Sequence, residues 1–183
     1  MAEQSTSLIL LTDMDGGERL VEHLTKHACN HPLGLIYLGI KRYDEIVRQH
    51  GEQAACRLLQ TWRKLVLESQ RYQTFDMLTH RMFRGDVLLF FRLEQAAAAQ
   101  LKAPLSRLAH ETKQQLEQQL RQYIGLPGNP VELCTGSAVF VLDGTLTGEN
   151  LLYEGFQEAM QEAQSGSDTH SQGRLAEFRD IHA

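Results

Sequence analysis

The chain has 183 residues, 42% of them hydrophobic, and a formal net charge of −5; that suits one domain with a real core plus a tail. The negative balance gives no electrostatic reason to expect nucleic acid as a partner, and no apolar run approaches the roughly 18 residues that span a bilayer. Three scattered cysteines (Cys29, Cys56, Cys134) make no disulfide framework, and the amino end has no basic leader, so no secretory signal is read and a reduced, cytoplasmic setting is expected.

In chain order, "ERLVEHLTKHA" (18–28) predicts a short helix with Leu20, Val21 and Leu24 on its inner face. "PLGLIYLGI" (32–40) predicts a central, doubly buried strand. The stretch 43–69 then predicts one long helix, because Val47, Ala54, Ala55, Leu58, Trp62, Leu65 and Val66 return at three- and four-residue steps. Alternation in "TFDMLTHRMF" and the run "VLLFFRL" predict an antiparallel hairpin over 74–93, with Arg84, Gly85 and Asp86 at its turn.

A second long helix is expected from about 105 to 123. Pro104 stands near its first turn, Gly125 lies just past its end, and Leu105, Leu108, Leu116, Leu120 and Tyr123 form its buried stripe. "LPGNP" reads as a turn, "VELCTGSAVFVL" as a strand and "ENLLYEGFQEAMQEAQ" as a last helix. A polar linker starting at 165 leads into "RLAEFRDIHA", which would restart a helix. This order predicts an α+β fold, a ferredoxin-like antiparallel sheet with helices on one face and extra helices at the ends. The expected division is a domain over 1–164 and a linker with the start of a helix over 165–183.

Three groups of residues carry candidate chemistry. "LILLTDMDGGERL" has the Asp-x-Asp-Gly pattern of haloacid-dehalogenase-type phosphatases, in which Asp13 would attack phosphorus and Asp15 act as acid/base beside magnesium. The rest of the chain lacks the βα alternation such a fold needs, and a capped turn is the simpler reading. A similar echo in "VFVLDGTLTGEN" has Val141 in the nucleophile's place. His23, His27, Cys29 and His31 lie close enough to suggest zinc, but their spacing matches no closed structural site, so a solvated helix end is the better account. Cys56, Cys134 and Trp62 fall on apolar patterns and are expected to be packing residues.

The order of elements, together with "LLTDMDGGERL", "LIYLGIKRYDEIVRQHGEQAAC", "RMFRGDVLLFF", "VELCTGSAVF" and "LLYEGFQEAMQEAQ", resembles the GGDEF domain, the diguanylate cyclase fold of bacterial cyclic-di-GMP signalling, over roughly residues 8–163. The resemblance implies that a carboxylate at the end of the first strand and one in the signature turn should hold divalent metal; those positions are Gly39 and Val87. The residues expected to read guanine match Val47 and Cys56, and an inhibitory Arg-x-x-Asp would fall on Phe75 to Leu78, where neither end residue fits. Of the signature only Gly85 and Asp86 survive, within Arg84-Gly85-Asp86-Val87-Leu88.

Glycine and valine offer no side-chain donor to magnesium. The expectation is therefore a degenerate module with no catalytic residues, no metal and no cofactor. Gly85 is expected to persist for a permissive turn backbone and Asp86 as an ordinary turn residue. "GRLAEFRDIHA" resembles the lead-in to EAL-type phosphodiesterase domains, so an adjoining EAL-like domain is the expected partner, with homodimerisation left open. The alternative is a GTP or nucleotide sensor without turnover, its phosphates held by Arg84 and the backbone amides of "LGIKRYDE". Phosphatase chemistry at Asp13 and Asp15 is a weaker alternative.

Overall fold

The computed structural model describes residues 17–28, 30–69, 76–83, 85–125, 131–141 and 148–165. Their order is α1 (Gly17–Ala28), β1 (Leu33–Ile40), α2 (Tyr43–His50), α3 (Glu52–Glu68), β2 (Asp76–Phe83), β3 (Asp86–Arg92), α4 (Ala98–Tyr123), β4 (Leu133–Phe140) and α5 (Gly148–Ser165). The four strands form one sheet in the order β2-β3-β1-β4, and each neighbouring pair is antiparallel. The α+β, ferredoxin-like architecture expected from the sequence is therefore present. A fold built on a parallel βα sheet is not, which removes the setting that a phosphatase reading requires; Asp13 and Asp15 themselves lie outside the described residues.

β1 is buried at all of its eight positions, as an unbroken apolar run between two neighbouring strands requires. Its side chains alternate between two cores. Ile36, Leu38 and Ile40 join Leu58, Trp62 and Val66 of α3 and Leu105, Leu108, Leu116 and Leu120 of α4 on one face. Leu33, Leu35 and Tyr37 join Leu20 and Leu24 of α1 and Phe156, Ala159 and Ala163 of α5 on the other. The end helices therefore cover a second face of the sheet, making three layers where helices on one face were expected.

The single helix expected over 43–69 is two helices. Gly51, with φ 87 and ψ 167, separates them in a region that only glycine adopts without strain. The break changes the phase of the first piece, so Ile46 is buried and Val47 only half-buried. The expected stripe on α3 holds at Ala55, Leu58, Trp62 and Val66, whereas Ala54 and Leu65 are half-buried. Cys56, expected as a packing residue, is exposed.

α4 begins at Ala98, seven residues before the expected start near 105 (105 − 98 = 7), with Pro104 inside it. The alanine run has the highest helix propensity of any residue type. Pro104 is exposed and falls early in the helix, where it removes one backbone donor without ending it. Leu105, Leu108, Leu116 and Leu120 are buried as expected, but Tyr123 at the helix end is 70% exposed.

α5 lies unusually close to β4. A Cβ built on Gly136 would stand 1.7 Å from the Ala159 carbonyl oxygen, and one on Gly155 would stand 2.9 Å from the Phe140 ring. Both glycines allow the helix backbone to rest almost on the strand. Among the described residues, no helix is long and apolar enough to cross a membrane. Ser165, expected to open the linker, is the last residue of α5; the rest of the linker and the terminal helix expected over 165–183 lie outside the described residues.

Replacing Gly136 with alanine forces α5 away from the sheet, a steric cost of about 3 kcal/mol or more. A lowered urea midpoint measures it, and an unchanged midpoint would show that α5 accommodates the methyl group.

Candidate functional site

The hairpin brings the signature residues to the end of β1. Phe83 pairs with Asp86, Gly85 lies in the turn, and Asp86 is the first residue of β3 instead of a turn residue. Arg84 lies outside the described residues. Two donors converge on the Gly85 carbonyl: the Trp62 indole Nε1 at 3.1 Å and the Ile40 amide at 3.2 Å. Trp62 is core, as expected, and it also ties α3 to the turn.

Gly85 is not in the left-handed region, since among the described glycines only Gly51 has positive φ. Its lack of a side chain answers a packing demand. A Cβ there would approach the Ile40 Cβ to 3.2 Å, so the expectation of a permissive turn backbone is corrected.

Antiparallel register decides which positions can cooperate. Gly39 pairs with Asp86, and Leu38 with Val87. Paired residues share a face and successive ones alternate. Val87 is fully buried in the core beneath α3 and α4, whereas Gly39 belongs to the face of Tyr37 and Leu88, which pack in the other core. The two positions expected to share a metal are thus on opposite faces. Asp86 is the residue that stands across from Gly39.

That space is already filled. The Tyr37 hydroxyl donates to Asp86 Oδ1 at 2.5 Å. A Cβ on residue 39 would meet that hydroxyl at 2.3 Å, its ring carbon Cζ at 2.9 Å and Asp86 Oδ1 at 3.1 Å. The phenol therefore lies over the bare backbone of Gly39 and occupies the volume in which a side chain at 39 would begin. Among the described residues the donors here do not make a divalent-metal site: position 39 has no side chain, Val87 faces the core, and Asp86 is a single carboxylate whose Oδ1 already accepts from a phenol.

The phenol is held at both ends of its residue. Thr135 Oγ1 donates to the Tyr37 carbonyl at 2.7 Å, and Cys134 Sγ lies 3.6 Å from the Gly39 carbonyl. Burial first, and then the neighbouring Asp86 carboxylate, push the Tyr37 phenol well above its ordinary value. The same two causes raise the Cys134 thiol, partly offset by Lys41. Both groups stay protonated near neutrality, so neither a phenolate nor a thiolate nucleophile is available.

The other candidates do not gather here. Val47 is half-buried on α2 and Cys56 exposed on α3. The phosphate cradle expected in "LGIKRYDE" has lost two of its amides. Ile40 N–H is bound to the Gly85 carbonyl, and Lys41 N–H donates to Glu132 at 2.8 Å. Asp44 and Glu45 in the first turn of α2 further oppose an anion. At the other end of the sheet, the His23 and His27 rings lie 4.4 Å apart. His23 contacts the Leu78 carbonyl at 3.3 Å and His31 the Leu93 carbonyl at 3.1 Å, while Cys29 lies outside the described residues. No group of three metal-binding side chains occurs among the described residues.

No family model matches the chain, and no curated protein does. The chain is similar to a GGDEF family protein and to nucleotide cyclases. The first is a sensory box/GGDEF family protein from Caulobacter crescentus, with 18% identity, 80% of this chain and 86% of that chain covered, and a TM-score of 0.47. The guanylyl cyclase Cya2 has 10% identity, 70% of each chain covered and a TM-score of 0.44. The adenylyl cyclase CyaB from P. aeruginosa has 15% identity, 60% and 56% covered, and a TM-score of 0.39.

Tyr37→Phe leaves Asp86 without its phenolic donor and should cost about 1.5–3 kcal/mol near neutral pH. The raised phenol binds its proton more tightly in the folded state, so its contribution is complete below ~10 and is lost as pH rises above that value. The gap between wild type and variant, read from urea midpoints, should shrink above pH ~10; a constant gap would contradict the assignment. Gly39→Ala should be destabilising alone and much less so on a Tyr37→Leu background, which removes both the hydroxyl and the ring carbon it would meet, and a double-mutant cycle with no coupling would contradict the steric account.

Proposed function

We propose that the protein is a non-catalytic GGDEF-like regulatory or interaction module of bacterial cyclic-di-GMP signalling that controls an adjoining EAL-type phosphodiesterase domain. The observation that carries the first half is the Tyr37 hydroxyl lying 2.3 Å from where a residue-39 Cβ would be, bound to Asp86 at 2.5 Å. Condensation of two nucleoside triphosphates needs hard oxygen ligands that hold metal against the phosphates. Residue 39 lacks a side chain, Val87 lies on the opposite face and Asp86 already accepts from a phenol, so the described residues offer no such ligand set around this turn. The second half rests on "GRLAEFRDIHA" and its likeness to the segment that precedes EAL-type domains.

A nucleotide sensor without turnover is the less supported reading, because the Ile40 and Lys41 amides and the acidic first turn of α2 leave little to bind phosphate. A similar fold hosts many functions, so assay must decide between them.

Incubation with GTP and magnesium or manganese should release no pyrophosphate and form no cyclic-di-GMP above a protein-free blank, and GTP should not raise the melting temperature. Turnover would overturn the non-catalytic reading, and a concentration-dependent rise in Tm without turnover would favour the sensor. Joined to an EAL-type domain, the module should change the rate of cyclic-di-GMP hydrolysis; an unchanged rate would contradict the regulatory half.

A further inference from the structure

β4 is an edge strand, and its outer edge is closed by side chains of α4. Glu117 Oε2 accepts from the Leu133 amide at 2.9 Å, Arg121 Nε donates to the Val131 carbonyl at 3.1 Å, and Lys102 Nζ donates to the Ser137 carbonyl. Such closure removes a template for strand addition. Lys102 does more than close the edge. Its ammonium reaches round the strand from the layer of α4 to that of α5, where it bonds Glu162 Oε2 at 2.8 Å and lies 3.9 Å from Glu158 Oε1.

The hydroxyls of Ser106 and Ser137 each stand 3.5 Å from Glu162 Oε1. The Lys102 and Glu162 side chains are only 32% and 24% exposed, so their attraction is screened less than that of a surface pair.

α5 has reason to need this cation. Glu154, Glu158 and Glu162 follow one another at four-residue spacing, which stacks like charges along one side of the helix. Among the described residues its apolar hold on the sheet comes from Phe156, Ala159 and Ala163, with Met160 partly buried against them; two of the buried three are among the smallest side chains.

We infer that Lys102 is a charge latch that fastens α5 to the sheet from across the edge of β4, and that loss of its charge releases α5 while the remaining layers stay folded. The latch stands on its own contacts and does not depend on the proposed function.

Hydrogen exchange read segment by segment tests it. In Lys102→Met the amides of 154–165 should exchange at least about ten-fold faster, with β1 and β3 unchanged. Lys102→Arg, which keeps the charge, should stay close to wild type. Glu162→Gln should loosen the same segment by a smaller factor, and it carries the test if Lys102→Met does not fold. Unchanged exchange in α5, an equal rise across the whole domain in either neutralising variant, or an arginine variant as loose as the methionine one would overturn the inference.

Discussion

Strand β1 is buried along its whole length, so each of its side chains must be accommodated by a neighbouring strand or a helix layer. The phenol of Tyr37 is the hardest to place, because it carries a polar atom into an apolar face. It finds a partner in Asp86 at the foot of the hairpin, and the straight path between them crosses residue 39. Only a residue without a side chain leaves that path open. Three positions that look unrelated in the chain are thus one arrangement, and a buried hydroxyl that would otherwise cost about 1–3 kcal/mol is satisfied.

The same arrangement connects stability to the proposed function. A carboxylate at 39 would collide with the phenol, and a phenol at 37 takes up one oxygen of Asp86. The two states exclude each other in the same volume. The hairpin turn is meanwhile fixed from the far face by Trp62 and the Ile40 amide, which keeps Asp86 in register with Gly39. In this account the hairpin turn is a structural joint between β1, β3 and α3.

Much of the architecture was legible because burial on one or two faces writes a period into the sequence. The apolar run of β1, the alternation of the hairpin and the leucine stripe of α4 all appear where the residues imply. The errors have physical causes. The helix periodicity continues across Gly51 and hides the break, although Arg48 and His50 followed by glycine is a recognisable helix end. Proline favours first turns, so Pro104 implies a start close to it, yet the preceding alanines extend the helix around it and bring Lys102 into α4. The opposite faces of 39 and 87, and the Tyr37–Asp86 bond, depend on strand register, which residue spacing within one strand does not reveal. The available hint was a polar aromatic two residues before a glycine in an otherwise apolar strand.

The most direct measurement is a manganese titration of the isotopically labelled domain, followed by paramagnetic broadening of its backbone amide signals. The account predicts no selective broadening of Gly39 and Asp86, because no group of three metal-binding side chains gathers there among the described residues. Selective, saturable loss of those two signals at micromolar manganese would contradict it.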